Sequence, residues 1–410
     1  MARAPPPAGA LRVLFVTPYL PSLVRVRPYQ WIRSLKRLGH SVHVVALRPP
    51  EDRWASREAL RATCDGLDVF DLARTRTLTN AARAFLTGAP LQAAYSTHPA
   101  AAARVEQLAS SGEFDVIHIE HLRGVALAQR HGGLPVIYDA VDSISALFEQ
   151  AASHAPSRAQ RAMASLDLER TRRFERAVPF RFERTLVTSQ AEADAFTRLA
   201  GEGARSRLAV LPNGVDLDYF TPPVTRDLSL PPRIVLSGKM SYHANEAAAL
   251  WLLREIMPRV WARRPDATVV IAGKDPGPAL TALAGPRVEV TGFLEDLRQE
   301  LWRATLAVAP LRYGAGIQNK VLEAMACALP VVTTSAVVRA LDPSSRHSVT
   351  VGDTAPAIAD AMVSLLAEPT HLAATGHAAR AYVERHHNWD VQADRLTQIY
   401  RAAVLAATAA

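Results

Sequence analysis

Short β-branched runs alternate with longer helical patterns along the whole chain, and this alternation limits the fold more than any other feature. The runs that read as strands are LRVLFV (11–16), SVHVVAL (41–47), DVIHI (115–119), LPVIYD (134–139) and RTLVTS (184–189). A second series follows: RIVLSG (233–238), ATVVIAG (267–273), VEVTG (288–292), LAVAPL (306–311) and LPVVTT (329–334). Helical patterns such as QWIRSLKRLGH (30–40) and AAALWLLREIMPRVWARR (247–264) fall between them. Alternation on this scale predicts parallel sheets covered by helices on both faces. Right-handed crossovers then gather the strand C-termini, and with them any ligand, along one rim of each sheet.

The segment TPPVTRDLSLPP (221–232) carries four prolines and no periodicity, and it divides the alternation into two series of similar size. The chain of 410 residues is long enough for two cores. The reading is therefore α/β, with one Rossmann-like domain over 11–220 and a second over 221–385. A break at HHNWD (386–390) precedes a last helix near 392–407, so 386–410 is expected as a separate closing segment. No short-period repeat is visible.

Cys64 and Cys327 are too few and too far apart for a disulfide framework or a thiolate metal site, and they suit a reduced, cytoplasmic protein. The start has no apolar stretch of the secretory kind. No run approaches the roughly 18 apolar residues of a membrane span. The net charge of +8 predicts attraction to polyanions. Aromatics make up only 6% and no nucleic-acid module is visible, so phosphorylated ligands or anionic lipid are expected rather than DNA or RNA. The arginine-rich stretch 157–184 also holds Phe174, Phe180 and Phe182, interleaved with Asp167, Glu169, Glu175 and Glu183. It reads either as a solvated, salt-bridged helix or as a basic amphipathic surface for an anionic membrane.

Only four of the 47 basic residues are lysines: Lys36, Lys239, Lys274 and Lys320. The last three stand in turn-like contexts, SGKMS, AGKDP and IQNKV, where a compact ammonium suits a phosphate. The most informative segment is LRYGAGIQNKVLEAMACALPVVTT (311–334). A strand ends near Leu311, a glycine-bearing loop runs from Tyr313 to Gly316, and a helix starts near Ile317. Such a turn offers free backbone amides to an anion. The helix dipole disfavours a cation such as Lys320 in the first turn by about 0.3–1 kcal/mol, unless an anion is bound there. Glu323, one turn further on, could accept two hydrogen bonds from a ribose diol. It reads equally as an acid favourably placed near a helix start.

GAGIQNKVLEAMACALPVV resembles the nucleotide-sugar-binding signature of retaining family 4 glycosyltransferases, which have the GT-B fold. LRVLFVTPYLPS is similar to that family's first strand and acceptor-side loop. DVIHIEHLRG, LPVIYDAVDS, RTLVTSQAEADAF and LPNGVDLDYF resemble its later N-domain signatures. LSGKMSYHANEA resembles the opening of its donor domain, and AGKDP and VTGFLEDL the loops that follow. WDVQADRLTQIY resembles the C-terminal helix that crosses back to the N-domain. The likeness spans roughly residues 11–405. YDAVDSISALFEQ, GKMSYHAN and YGAGIQNKVLEAMA are most similar to sugar transferases of bacterial exopolysaccharide clusters, including those that accompany exosortase systems.

The resemblance implies two Rossmann-like domains facing a central cleft. It places the ribose of an NDP-sugar on Glu323. The diphosphate would lie on the backbone from Ala315 and Gly316 through Ile317, Gln318, Asn319, Lys320 and Val321, with Gly238 and Lys239 against it. Thr291, Gly292, Phe293 and Leu294 would flank the nucleobase. Ser22, Arg25 and Arg27 would belong to the loop facing the donor phosphate, and Asp142 would line the cleft. Two positions depart from the family. Ala315 stands where a first glutamate is usual, and SLVRVR (22–27) replaces a glycine pair, so Arg25 and Arg27 are expected to supply phosphate contacts. Glu120 and His121 are the candidates beside the acceptor, while His118 shares a strand face with Glu120 and suits a core. His243 reads as a cleft residue or as a helix entry. The expected catalytic set is Glu120, His121, Lys239 and Glu323.

The expected activity is sugar transfer from an NDP-sugar to a hydroxyl of a lipid-linked or growing glycan. It would occur in the cytoplasm or at the inner face of the membrane, without a cofactor. No Asp-x-Asp cluster stands at the donor site, so no metal is expected. Two other readings stay open. An NDP-sugar epimerase on the same fold would need acid/base carboxylates and histidines in the cleft. A non-catalytic nucleotide-sugar-binding scaffold is motivated by Ala315.

Overall fold

The computed structural model describes residues 9–23, 25–50, 56–154, 158–313 and 316–409. They form two compact units. The first holds the residues up to Leu211 and those from Trp389 onward; the second is Pro212–Asn388.

The first unit is built on seven parallel strands: β1 Arg12–Thr17, β2 Ser41–Arg48, β3 Gly66–Asp71, β4 Val116–Glu120, β5 Val136–Val141, β6 Arg184–Val187 and β7 Leu208–Val210. Their order is β3-β2-β1-β4-β5-β6-β7. The second unit has six: β8 Arg233–Ser237, β9 Thr268–Ala272, β10 Val288–Gly292, β11 Leu306–Ala309, β12 Val331–Thr333 and β13 Thr350–Val351, in the order β10-β9-β8-β11-β12-β13. All described pairings are parallel. Central strands read as unbroken apolar runs because helices cover both faces; five of the six residues of β1 are buried.

Each sheet has one point where the strand order reverses. The chain moves outward from β1 to β3 and then returns to place β4 on the other side of β1. It does the same from β8 to β10, with β11 returning beside β8. Loops leaving such a pair of strands diverge, and the gap between them is where ligands bind in open parallel sheets. Glu120, His121 and the 17–27 loop stand at the β1/β4 gap. Gly238, Lys239, Arg312, Tyr313 and the residues 316–318 stand at the β8/β11 gap.

The proline-rich segment is not the boundary. Val215 already pairs with Asn388, and its amide donates to the His387 carbonyl at 2.7 Å. Within 221–232, Arg226 donates to the carbonyls of Ala328 (2.8 Å) and Cys327 (3.1 Å), so this segment packs on the second unit. The division therefore falls at Leu211/Pro212 rather than at 220/221. The return falls at Asn388/Trp389. The helix Trp389–Ala409 belongs to the first unit, where the Trp389 and Trp31 rings meet edge-on at 4.8 Å.

Candidate active site

In the second unit, the loops after β8, β9 and β10 lock together through glycine backbones. The Gly238 amide donates to the Ala272 carbonyl (2.9 Å), Gly273 to Gly292 (3.1 Å) and Met240 to Lys274 (2.9 Å). Gly273 has φ +145°, and a Cβ there would stand 1.8 Å from the Gly238 carbonyl oxygen. Gly238 has the same φ, and its Cβ would come within 2.9 Å of both Asn245 Nδ2 and Lys320 Cε. Only glycine permits this approach.

The approach serves Lys320. Asn245, buried near the start of the helix His243–Trp251, donates from Nδ2 to the Lys239 carbonyl at 2.9 Å. Its Oδ1 accepts from Lys320 Nζ at 2.7 Å, and Gln318 Oε1 accepts from the same ammonium at 3.2 Å. Lys320 lies in the first turn of the helix Asn319–Ala326, whose Gln318 cap supplies no side-chain bond to the helix amides. Among the described residues, the amides of Asn319 and Lys320 have no acceptor, which leaves them for an anion. Burial pushes the Lys320 ammonium down to about 8, against the pull of Glu323. Burial raises the Glu323 carboxyl to about 7, and Lys320 opposes that rise. Both side chains keep a partly exposed face. Glu323 has no hydrogen-bond partner among the described residues. Lys239 is exposed beside them and likewise has no counter-ion there.

Ile317 is buried in the core, and the Val321 amide is spent on the Gln318 carbonyl at 2.9 Å. These two therefore support the loop rather than present it, and the open amides shift to 319–320 because the helix starts at Asn319, not near 317. Gly316 has φ +67°, and its carbonyl lies 3.4 Å from Gln318 Nε2. Ala315 lies outside the described residues. Gly292 ends β10 with φ +70°, Phe293 is 69% exposed, and Leu294 packs on the core. That exposed ring suits stacking on a base. His243 stacks on Tyr313 at 5.5 Å, with Nδ1 3.2 Å from the phenol oxygen, so it caps the loop 312–318.

In the first unit, the β1/β4 gap holds a hydrogen-bonded cluster. Glu120 is buried, with one oxygen 3.1 Å from Thr17 Oγ and the other 3.4 Å from the Tyr19 hydroxyl. Thr17 Oγ is also 3.1 Å from the Tyr19 carbonyl, and its single proton serves only one of these acceptors. Thr17 Oγ1 thus donates to Glu120 Oε2 or to the Tyr19 carbonyl, and the Tyr19 hydroxyl donates to Glu120 Oε1. Burial, reinforced by the Asp139 charge, raises Glu120 to about 8, while the Thr17 hydrogen bond and the Arg27 and Arg25 charges oppose the rise. His121 follows with φ +62°, and burial with the Arg123 and Arg25 charges keeps it neutral. Val141, at the end of neighbouring β5, has φ +66°, a strained geometry for a β-branched residue. Asp142 accepts from Thr188 Oγ1 at 3.3 Å and is raised to about 6 by burial.

The arginines divide. Ser22 Oγ accepts the Arg25 amide (3.2 Å), and the Arg25 guanidinium lies 4.4 Å from the Tyr19 ring centroid, at the mouth of the cluster. Arg27 does not serve as a loop phosphate contact. It is buried, paired with Asp139 through two hydrogen bonds (2.8 and 3.0 Å), and donates to the Leu211 carbonyl at 3.1 Å. The helix begins at Val26, earlier than the sequence suggests, and its first turn aims Arg27 at the sheet. His118 is a core residue, stacked on Phe15 at 4.3 Å and 2.8 Å from the Tyr400 hydroxyl.

Residues 24–219 match the family described as Glycosyltransferase Family 4, and residues 231–368 the family described as Glycosyl transferases group 1. Both families are glycosyltransferase families by their descriptions, and each matches one part of the chain. It is 28% identical over 224 residues to the GDP-mannose-dependent monoacylated alpha-(1-6)-phosphatidylinositol monomannoside mannosyltransferase of Corynebacterium glutamicum, covering 49% of this chain and 58% of that protein. It is 30% identical over 243 residues to the D-inositol 3-phosphate glycosyltransferase of Xylanimonas cellulosilytica (53% and 56%). The chain thus spans little more than half the length of these curated relatives. In fold, it superposes on sucrose-phosphate synthase from Thermosynechococcus elongatus with a TM-score of 0.70 at 17% identity, covering 96% of this chain and 100% of that one. Anabaena HepE in complex with UDP-glucose gives 0.66 at 16% identity, with the same coverages. The two sheets are accordingly the Rossmann-like pair of the GT-B fold.

Within these two clusters, four site residues escape sequence reasoning. Asn245 and Gly273 orient the lysines through contacts distant in the chain. Thr17 and Tyr19 were visible only as parts of a strand and a loop. The glycine-lysine pair repeated in SGKMS and AGKDP was the available signal for the first two. Among the described residues, no group of three or more His, Cys, Asp or Glu is arranged to hold a metal ion, and no helix is long and apolar enough to cross a membrane.

Proposed function

We propose that this glycosyltransferase takes a sugar from an NDP-sugar and transfers it, with retention at the anomeric carbon, to a hydroxyl of a lipid-linked or growing glycan. The observation that carries the reading is the Glu323 carboxylate, unpartnered among the described residues and beside an ammonium held by Asn245. Glu323 accepts the ribose hydroxyls. Lys320, Lys239 and the amides of Asn319 and Lys320 receive the diphosphate. As the bond between the anomeric carbon and the phosphate oxygen breaks, negative charge grows on that oxygen, and fixed positive groups stabilise it without reorganising. The acceptor oxygen forms the new bond and releases its proton. Because the leaving group is met by ammonium and amide groups, the reaction runs without a divalent metal, and a chelator leaves the rate unchanged. A role in exopolysaccharide assembly at the inner face of the membrane fits the sequence likeness, and the two named relatives act on phosphoinositol-type acceptors by their descriptions.

A thermal-shift panel of UDP-, GDP- and ADP-sugars tests the donor class, since a ligand at 100 Kd stabilises by roughly 2.7 kcal/mol. One nucleotide series should raise the melting temperature, and Glu323→Ala should abolish that rise. No shift with any nucleotide would overturn the reading. A wild-type protein that binds donor but never turns it over, with any acceptor, would make it a scaffold.

A further inference from the structure

The first unit carries a second concavity that shares no lining residue with the Glu120 cluster. Its volume is about 630 Å³, within the size range of small-molecule sites. Arg83, Arg170, Arg173 and Arg181 line it, and no carboxylate does among the described lining residues. Between the arginines the lining is mostly apolar, from Ala84, Ala93, Val125 and Phe174, with Asn80, Thr97 and Gln129 among them. Val125 follows directly on the His121–Gly124 turn, so this concavity begins one turn of chain beyond the acceptor-side candidates.

The fold sorts the mixed charges of the 158–181 helix to make this site. Positions 170, 173, 174 and 181 share one face of a helix with 3.6 residues per turn. Leu166, 51% exposed, extends that face. Two of the acids are held by hydrogen bonds from neighbouring segments. Asp167, which feels the Arg170 charge, accepts the Leu91 amide with both oxygens (2.9 and 3.0 Å). Glu175 accepts the Ile144 amide at 2.6 Å and the Ser143 hydroxyl at 3.0 Å. The helix carries salt bridges as the first sequence reading expected, from Arg172 to Glu149 and Glu169, while Arg170, Arg173 and Arg181 line the concavity. Guanidinium forks around one concavity create a positive well suited to the oxygens of a phosphate. The alanines, Val125 and Phe174 of the floor suit the carbon of an apolar chain.

We propose that this cleft binds a phosphate ester carrying an apolar chain, the anionic end of a lipid-linked acceptor. The ligand's role as acceptor rests on the glycosyl-transfer reading; its binding does not. Titration calorimetry with monododecyl phosphate, kept below its micelle concentration, tests the site on the full chain. Wild-type protein should bind it, and Arg170→Ala/Arg173→Ala should weaken binding at least about tenfold. Inorganic phosphate should bind more weakly than the dodecyl ester, and the uncharged dodecyl maltoside should not bind. Arg83→Ala, on an exposed position of a different helix, gives the same loss if the double variant fails to fold. Vesicles of phosphatidylcholine, with and without phosphatidylglycerol, separate a bilayer headgroup from a dispersed lipid phosphate: retention only by the anionic vesicles supports the former, no retention the latter. Equal dodecyl phosphate binding by wild type and variants, or equal binding of dodecyl maltoside, overturns the proposal. Nucleotide binding measured on the same samples reports separately on the donor site, so its loss in wild-type protein would sink the transferase reading alone.

Discussion

Asn245 holds Lys320 with one side-chain atom and the Lys239 carbonyl with the other, at 2.7 and 2.9 Å. One amide thereby fixes both strands of the donor cradle. Hydrogen bonds to charged groups contribute about 1.5–3 kcal/mol. Asn245→Ala should therefore raise the Kd for the nucleotide by about tenfold to a hundredfold. Asn245→Asp should instead compete with the diphosphate for the ammonium, and it should weaken binding even though the contact to Lys320 survives. Calorimetric titration of the bound nucleotide checks both. An unchanged Kd in Asn245→Ala would show that Lys320 needs no orientation.

This relation marks where sequence reading stops. The ten strands recognised in the sequence all form, because central parallel strands need continuous apolar runs that announce themselves. The three that escape it, Gly66–Asp71, Leu208–Val210 and Thr350–Val351, are edge strands. Edges bury less, so GLDVFD tolerates two aspartates. Glu323 and Lys320 were legible from a local helix-start pattern. Asn245 and Lys320 are 75 residues apart, and Arg27 and Asp139 are 112 apart, so neither pairing has a local signal. The Arg27 expectation failed for that reason: a sequence does not say whether an arginine faces solvent or an aspartate on a later strand.

The donor cradle should show a narrow pH optimum. Burial places the carboxyl of Glu323 at about 7 and the ammonium of Lys320 at about 8. Ribose hydroxyls require the ionised carboxylate, so nucleotide affinity should rise as pH passes about 7. The diphosphate requires the protonated ammonium, so affinity should fall as pH passes about 8. The two groups interact, and the limbs belong to the pair. Lys320→Arg keeps its charge at all these pH values and should remove the alkaline limb while leaving the acid one. A flat binding profile through this window would refute the assignment.

Arg25 and Arg27 should fail in different ways. Removing one partner of a buried ion pair costs about 3–5 kcal/mol. Arg27→Ala strands Asp139 and frees the Leu211 carbonyl, so its melting temperature should fall on the order of 10 °C. Arg25 sits at the mouth of the loop, stacked on Tyr19. Arg25→Ala should raise the donor KM with little change in melting temperature. A thermal scan and a KM measurement on both variants decide this. Comparable thermal losses in the two would mean that Arg25 is also structural.

Glu120 offers a test in which stability and activity move apart. In the folded protein, burial raises its pKa to about 8, whereas an unfolded chain ionises near 4.3. Below about pH 4 both states hold the proton, and the acid imposes no penalty. As pH rises from there, the unfolded chain ionises first, so the folded state loses stability until about pH 8. Glu120→Gln removes that loss and keeps one oxygen to accept from Thr17 or Tyr19. The variant should match wild type near pH 4 and exceed it by about 4–5 kcal/mol at pH 8. If the Glu120 proton takes part in positioning the acceptor, the same variant should lose turnover with its donor Kd intact. Melting curves across this pH range carry the decision: identical stabilities at pH 8 would show that Glu120 is ionised in place, held by the Thr17 and Tyr19 hydroxyls.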